Sequence, residues 1–312
     1  MLGTRPGAQV LLALGQGPLR TKQLTQRVAG LSARSVYRCV ERLEAYGLID
    51  RLREPGVPSR TLVRLADPSG RSLYRLLRQY PSVRDDWPEG SLYHLAELWE
   101  AGFVEELSHR PRSLIELAEI PHSLTYHQVK RRTGLATTTG LLELGPRKGN
   151  HRHYSLTAEG RRCMALVCGI GRWRRRHVLA DGLPGLESGE MATVLRTVLP
   201  LTVLPDHAGR RLDLAIATTN EYGYRDTEVL RGLVGGDGKI GLGAEEAQPA
   251  DGVASATVNI WFAALLDDKR GRFRVGGDIE LVDSCLKQMH EVLWSANGRS
   301  GATRSSSSAS GG

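Results

Sequence analysis

Three arginines spaced about one helical turn apart could bind anionic groups from one face of a helix. Arg34, Arg38 and Arg42 recur every four residues in a segment whose apolar residues have helical spacing. The guanidinium group is planar and always charged, so it can donate paired hydrogen bonds to phosphate oxygens or to the edge of a guanine base. A row of charges on a helix is more often a solvated surface. The order of the neighbouring elements decides between the two interpretations.

The arginine row falls on the third helix of a predicted helix-turn-helix. Gly17-Pro18 ends a first helix, Thr21 caps a short second helix, and Ser32 caps the third after a break at Gly30. The apolar residues of the third helix recur at positions i, i+3, i+4 and i+7, namely Val36, Cys39, Val40 and Leu43. The arginines lie on the opposite face, which is therefore predicted to point outwards.

Two strand-like segments follow this helix and predict a β-hairpin wing. LIDRLRE and RTLVRLA are joined by the turn-forming residues 55–59, with Arg60 beside the predicted tip. Leu73, Leu76 and Leu77 then begin another helix. Three helices followed by a hairpin are the elements that a winged helix-turn-helix requires.

The same pattern recurs at an offset of 93 residues, which predicts a duplicated module. The offset shortens to 91 and then to 90 beyond the hairpin, as expected where one loop differs in length between two copies. The residues that match at the offset of 93 are Leu14, Pro18, Leu24, Leu31, Ser32, Val36, Arg38, Gly47 and Leu48, with Leu107, Pro111, Leu117, Leu124, Thr125, Val129, Arg131, Gly140 and Leu141.

The second copy carries different chemistry on its outward face. Ser113 with Glu116, and Thr125 with Gln128, are capping boxes that predict two helix starts where the repeat requires them. We expect base readout from the two third helices and phosphate contacts from the two hairpins. The predicted DNA-binding residues are Arg34, Ser35, Arg38, Arg42, Arg60, His127, Gln128, Lys130, Arg131, Arg147, Lys148 and Arg152.

About half of the chain, residues 7–80 and 95–165, resembles the HxlR class of winged-helix regulators within the wider MarR-like group. In the first copy the segments that carry the resemblance are LTQRVAGLSARSVYRCVERLEAYGLIDR and GVPSRTLVRL, and in the second copy the segment is HYSLTAEGRR. The resemblance implies a bacterial transcription regulator that binds operator DNA, usually as a dimer. Both copies lack the cysteine that this class usually has near the start of the domain, so a thiol-sensing mechanism is not implied.

Charge is distributed unevenly along the chain. Residues 1–180 contain 29 basic and 16 acidic residues, whereas residues 181–312 contain 13 basic and 18 acidic residues. The surface for an anionic partner is therefore expected in the first part. A domain at 190–297 is expected to carry regulation or pairing rather than DNA contacts.

Sequence features after the second copy predict a small α+β domain. Residues 166–182 are interpreted as a basic helix that leaves the second module, and Gly182 to Gly189 as a linker. VLPLTVLP, RRLDLAIAT, KIGLGA and RFRVGGD are interpreted as strands, and IELVDSCLKQMHEVLW as a closing helix. The expected core comprises Leu212, Leu214, Ile216, Val258, Ile260, Trp261, Leu281 and Leu286. Residues 249–289, with a glycine-rich GD turn between a last strand and a last helix, resemble the second half of sterol-carrier-type domains, which implies a small apolar ligand.

Other candidate sites are interpreted as structural. Cys163 and Cys168 have no zinc-ligand spacing with the nearby histidines, and all four cysteines are expected in cores. The carboxylates of Asp267, Asp268, Asp278 and Glu280 stand beside arginines in a predicted charged loop. GGDGKIGLG follows no clear strand and opens no clear helix, which argues against a nucleotide loop. Trp261, Phe262 and Trp294 are expected in the core.

The predicted fold class is mainly α with small β wings, as two winged helix-turn-helix modules, followed by an α+β C-terminal domain. The expected boundaries are 1–80, 90–180 with the basic exit helix, 190–297, and a disordered Ser/Gly tail at 298–312.

The predicted function is sequence-specific binding of double-stranded DNA in transcription control, with no enzyme activity, cofactor or metal. A homodimer is possible. A cytoplasmic, nucleoid-associated location is expected, because no apolar run approaches the roughly 20 residues of a membrane span. The alternative is a DNA-binding architectural or replication/partition protein of a mobile element.

Overall fold

A computed structural model describes most of the chain. The described residues are 5–28, 31–55, 60–79, 91–120, 124–149, 151–179, 185–217, 227–243 and 248–294. Over these residues the structure is 55% helical and 23% strand. The tail beyond residue 297, for which we predict disorder, lies outside this range, as do residues 56–59 of the first hairpin turn.

The N-terminal region consists of helices packed around a three-stranded antiparallel sheet of order β1-β3-β2. The third helix starts where Ser32 Oγ accepts a hydrogen bond from the Ser35 backbone N–H at 3.1 Å. It ends before Gly47, whose positive φ of 63° suits a residue without a side chain. The elements are α1 (Arg5–Leu14), β1 (Leu19–Arg20), α2 (Thr21–Arg27), α3 (Ala33–Ala45), β2 (Ile49–Glu54), β3 (Arg60–Leu65) and α4 (Ser69–Gln79).

The next region has a second sheet, of order β4-β6-β5. Both predicted capping boxes are present: the Glu116 and Gln128 side chains accept hydrogen bonds from the backbone N–H groups of Ser113 and Thr125 at 2.7 and 2.8 Å. The elements are α5 (Ser91–Glu100), α6 (Phe103–His109), β4 (Arg112–Ser113), α7 (Leu114–Glu119), α8 (Tyr126–Thr138), β5 (Leu142–Lys148), β6 (His151–Leu156), α9 (Ala158–Arg162) and α10 (Met164–His177).

Helix α10 packs against elements from both ends of the chain. The sequence predicts a basic helix that leaves the second module, and the structure packs α10 against α4 and against the later helices. Its first half is buried, and Trp173 Nε1 donates a hydrogen bond to the Ser69 carbonyl at 3.0 Å. Gly171 allows Leu186 to approach closely, so the predicted linker already packs on α10 at residue 186. The apolar half of the helix explains this position, because it must be covered.

The C-terminal region is a five-stranded mixed sheet of order β11-β10-β7-β8-β9, with helices packed against it. β10 runs parallel to β7, and the other neighbours are antiparallel. Alternate residues of β7 (Leu212, Leu214 and Ile216) are buried, as a strand with one face on the core requires. The elements are α11 (Ser188–Val198), β7 (Arg211–Ala217), β8 (Thr227–Val234), β9 (Ile240–Leu242), β10 (Gly252–Thr257), α12 (Val258–Asp267), β11 (Arg274–Gly277) and α13 (Ile279–Trp294).

The prediction of a strand at VLPLTVLP is wrong. Its start belongs to α11, a short 3₁₀ turn spans Leu199–Leu201, and Val203 forms an isolated β-bridge with Lys239. A capping box between Glu187 and Glu190 begins α11, and nearly every residue from Met191 to Val198 is buried, as in a helix that is covered on all sides. The chain is therefore helical where β-branched residues and prolines suggested extended structure.

Several other elements of the C-terminal region differ from expectation, among them β8 and β10, which were not predicted, while the core agrees with it. The glycine-rich segment follows strand β8 and leads into β9, so it forms a hairpin turn rather than a nucleotide loop. NIWFAALLD lies in helix α12, for which no helix was predicted. Of the eight expected core residues seven are buried, and Ile260 is partly buried. Phe262 is also buried, and Trp294 packs against the core.

Candidate nucleic-acid interface

The outward face of α3 carries the predicted arginine row. Arg34, Arg38 and Arg42 are exposed, while the opposite face of α3 packs into the core. Within the described part of the chain, none of the three guanidinium groups has a carboxylate within ion-pair distance. The row therefore presents three accessible cationic groups along one helix. Ser35, half-buried in the first turn, bonds the Ser32 hydroxyl at 2.9 Å and stabilises the start of that helix.

Arginines at the base of the first hairpin are ion-paired. Arg51 Nε lies 2.9 Å from Glu44 Oε2, and Arg64 Nη2 lies 3.4 Å from Asp50 Oδ2. Arg60 pairs through its backbone with Glu54 at the outer end of the hairpin. The side chain of Arg60 lies outside the described atoms, so its predicted phosphate contact stays a prediction.

The outward face of α8 is chemically different from that of α3. His127, Gln128, Lys130 and Arg131 are all exposed, and Val129 on the opposite face is buried. The Gln128 carbonyl oxygen is engaged in the cap of α8, so this side chain is held close to the helix start. Of the four residues predicted here, His127, Lys130 and Arg131 have no capping role.

The second hairpin places two cations directly opposite each other. Arg147 of β5 and Arg152 of β6 are cross-strand partners, and both are exposed. Like charges at directly opposed positions destabilise a sheet unless an anion lies between them. The backbone also pairs Lys148 with His151 beside Gly149, although the Lys148 side chain is outside the described atoms. The arrangement favours an anionic partner at this hairpin.

Sequence reasoning missed a charged cluster that contacts α8 from α5. Glu97 is buried, with its Oε1 atom 3.6 Å from Arg132 Nε and 3.8 Å from Arg131 Nη2. His94 Nδ1 lies 3.3 Å from the other carboxylate oxygen of Glu97. The repeat contained a signal for this cluster, because Arg132 stands at the position of the buried Cys39.

Glu116 forms the cap of α7 and the centre of another charged group. The backbone N–H of Ser113 donates to its carboxylate, and this hydrogen bond is the largest cause that lowers the pKa of Glu116 to about 2. Arg110 adds an ion pair at 2.6 Å. Glu116 therefore stays ionised at every ordinary pH and fixes the start of the helix that precedes α8.

The candidate metal and acid sites are occupied by structural contacts. All four cysteines are buried and free, and burial raises the pKa of the Cys168 thiol to about 12. Asp267 pairs with Arg172 at 2.6 Å, and Asp278 with Arg210 at 2.9 Å. Asp267 and Asp278 therefore join separate elements of the fold, whereas the sequence predicted that they lie in a charged, solvated loop.

A small cavity lies where α5 and α6 meet α11. Its volume is about 220 Å³, and Trp99, Glu100, Glu105 and Glu190 line it. None of these residues belongs to the segment that resembles sterol-carrier-type domains, so the apolar ligand that the resemblance implies stays a prediction. None of the helices that the structure describes is long and apolar enough to cross a membrane.

Comparison with known families supports the prediction of a helix-turn-helix in the N-terminal region. A family model described as HxlR-like helix-turn-helix matches residues 1–90, which include α3 and the first hairpin. No curated protein matches the chain. The match supports a helix-turn-helix transcription regulator with DNA as its partner.

Proposed function

We propose that this chain is a sequence-specific, double-stranded DNA-binding transcription regulator that uses two winged helix-turn-helix modules in tandem. In this proposal α3 and α8 are the recognition helices, and the hairpins β2–β3 and β5–β6 are the wings. The observation that carries the proposal is the row Arg34, Arg38 and Arg42 on the exposed face of α3, within a segment that the helix-turn-helix family model matches. A recognition helix needs donors for guanine edges and phosphates on that face.

The equivalence of the two regions supports the second module. Each has a short strand, a short helix, a 13-residue helix and a hairpin in the same order. The opposed Arg147 and Arg152 supply the anion-binding wing that the second module needs. The two recognition helices differ in sequence, so the proposed binding site is non-palindromic and spans two neighbouring major grooves, about 34 Å apart.

Regulation is proposed to reach the modules from the C-terminal region through α10. This helix packs against α4 of the first module and against α12, and Arg172 of α10 pairs with Asp267 at the end of α12. A change in the C-terminal sheet, through an effector or a second copy of the chain, would therefore bear on a helix that both modules share. Homodimerisation and effector binding belong to this proposal.

A footprint on duplex DNA tests the function. Random duplexes are first selected with the full-length protein, and the winning sequence is then footprinted alongside the DNA upstream of the chain's own coding sequence. We expect one protected, non-palindromic segment spanning two major grooves. Binding that shows no sequence preference, or no binding to any duplex, would overturn the proposal.

A further inference from the structure

One core position of α3 is occupied by an arginine in α8. In the repeat, Cys39 of α3 corresponds to Arg132 of α8. Cys39 is buried with the apolar face of its helix, whereas the Arg132 side chain is 21% exposed and extends towards α5. A cation at a core position requires a partner, because burying an unpaired charge costs several kcal/mol.

Glu97 supplies that partner and contacts a second arginine as well. Only 6% of its side chain is exposed. Besides the contact to Arg132 Nε, its backbone carbonyl accepts a hydrogen bond from Arg132 Nη1 at 3.3 Å. The 3.8 Å contact reaches Arg131, whose side chain is 62% exposed on the outward face of α8. One buried carboxylate therefore links the core side of α8 to its outward face.

We propose that Glu97 is a positioning residue that orients the Arg131 guanidinium for reading one base pair. The inference rests on the proposed function. Arg131 corresponds in the repeat to Arg38, which has no carboxylate within ion-pair distance among the described residues. A long arginine side chain loses rotamer freedom when it binds, and the attraction of a carboxylate 3.8 Å away favours one orientation and so reduces that loss.

The same carboxylate lowers general affinity for DNA. Its negative charge offsets part of the positive charge of Arg131 and Arg132, and phosphate attraction depends on that positive charge. Glu97 therefore exchanges nonspecific affinity for discrimination between bases. This consequence separates positioning from a purely structural role, in which Glu97 would only neutralise Arg132 inside the protein.

The test compares Glu97→Gln with wild type on the selected site and on a set of single base-pair variants. We expect discrimination at one base pair to fall about fivefold or more, which is the lower end of what one bidentate arginine contact supplies. Binding to unrelated duplex DNA should become tighter at the same salt concentration. Discrimination at the base pair read by Arg38 should not change, which provides an internal control in the same protein.

Two further variants test whether Glu97 acts on base discrimination through Arg131. In an Arg131→Ala background, Glu97→Gln should cause no additional loss of discrimination. Glu97→Gln combined with Arg132→Met removes both buried charges, so it keeps the protein folded if Glu97→Gln alone does not, and it should show the same loss at the same base pair. Thermal unfolding of each variant verifies folding.

Unchanged base discrimination in folded Glu97→Gln, or in the double variant, would overturn this inference while the proposed function stands. Failure of the wild-type protein to bind any duplex with sequence preference would instead overturn the proposed function, and the positioning role with it. A loss of discrimination that Arg131→Ala does not abolish would show that Glu97 acts elsewhere.

Discussion

The Cα atom of Gly70 lies so close to the Leu48 carbonyl oxygen that an added Cβ would stand 2.0 Å from it. The second copy repeats this relationship, with 2.2 Å between the Cβ position of Gly160 and the Leu141 oxygen. Each carbonyl also accepts a backbone hydrogen bond from the residue at the far end of its hairpin, Ala66 or Thr157. Each glycine therefore lets the helix after the hairpin close onto the end of the proposed recognition helix.

Gly70→Ala and Gly160→Ala are each expected to destabilise the protein by about 1–3 kcal/mol, as overpacking against an immobile group does. The neighbouring atom is backbone rather than the end of a flexible side chain, so it cannot move away cheaply. Urea unfolding of the full-length variants measures the effect.

Gly134→Ala is the matched control for these substitutions. Gly134 lies inside α8, is exposed, and has no atom within 4 Å of its Cβ position apart from the backbone of its own helix and its chain neighbours. Alanine should therefore stabilise the protein by about 0.5–1 kcal/mol, because it favours the helix more than glycine does. Equal effects of all three substitutions would show that the two close approaches carry no special constraint.

Arg38→Ala and Arg147→Ala should separate base readout from phosphate binding. Arg38 lies on the outward face of α3, so its loss is expected to cost about 1–3 kcal/mol and to relax the preference at one base pair. Arg147 lies at the hairpin opposite Arg152, so its loss should weaken binding to all sequences alike and lower the salt slope by about one. Competition binding at several salt concentrations measures both effects.

Arg274→Ala provides the control for charge removal. Arg274 is exposed on the edge strand β11 of the C-terminal sheet, outside both proposed modules. Its removal changes the net charge by the same amount, but affinity and salt slope should stay as in the wild type. An effect equal to that of Arg147→Ala would indicate that the wing has no special part in phosphate binding.

Local sequence signals predicted the repeated region well because its elements are set by near neighbours. Capping boxes, the glycine before each hairpin and the 3.6-residue spacing of α3 all act within a few residues. The outward placement of Arg38 and Arg131 follows from that spacing. The positions of α3, α8 and the strands of the two hairpins could therefore be predicted from neighbouring residues.

Features that depend on distant packing were not predictable in the same way. Helix α10 ends in basic residues, yet its position is decided by contacts with Ser69 and Leu186. Helix α12 is apolar on most sides, so its periodicity gave no clear signal. Glu97 belongs to the site only because α5 packs against α8, a contact between segments about 35 residues apart.

Glu116 predicts a specific pH dependence of stability. Its folded-state pKa is depressed to about 2, below the ordinary value of 4.5. A depressed carboxyl pKa contributes stability that is fully present above the ordinary pKa and is lost as the pH falls through the folded pKa. Stability should therefore decline between about pH 5 and pH 2, and Glu116→Gln should make that decline shallower in urea unfolding at a series of pH values.

Glu119→Gln is the control for the pH experiment. Glu119 is an exposed carboxyl on the same helix, so the substitution removes the same charge without affecting the Ser113 cap. The pH profile of this variant should follow that of the wild type. If both variants flatten the profile equally, the cap is not the origin of the acid sensitivity.

A fragment that ends at residue 182 should remain folded and bind duplex DNA, but it should be less stable than the full chain. Residues 188–294 cover one side of α10, where Phe262 packs near Gly171, and Asp267 pairs with Arg172. The contacts of Trp173 with Ser69 and Ser72 on its other side stay intact in the fragment. Removal of the C-terminal region therefore exposes apolar surface without cutting either module.

Thermal unfolding measures the stability of the fragment, and competition binding measures its affinity for duplex DNA. The melting temperature should fall, and the selected base preference should persist, because α3 and α8 with both hairpins are all retained. An isolated fragment of residues 183–297, with its excess of acidic residues, should not bind duplex DNA. We propose that the modules bind DNA and that the C-terminal region regulates them. A folded 1–182 fragment without any DNA binding, or DNA binding by the 183–297 fragment, would contradict this assignment, since the DNA contacts would then lie in the C-terminal region.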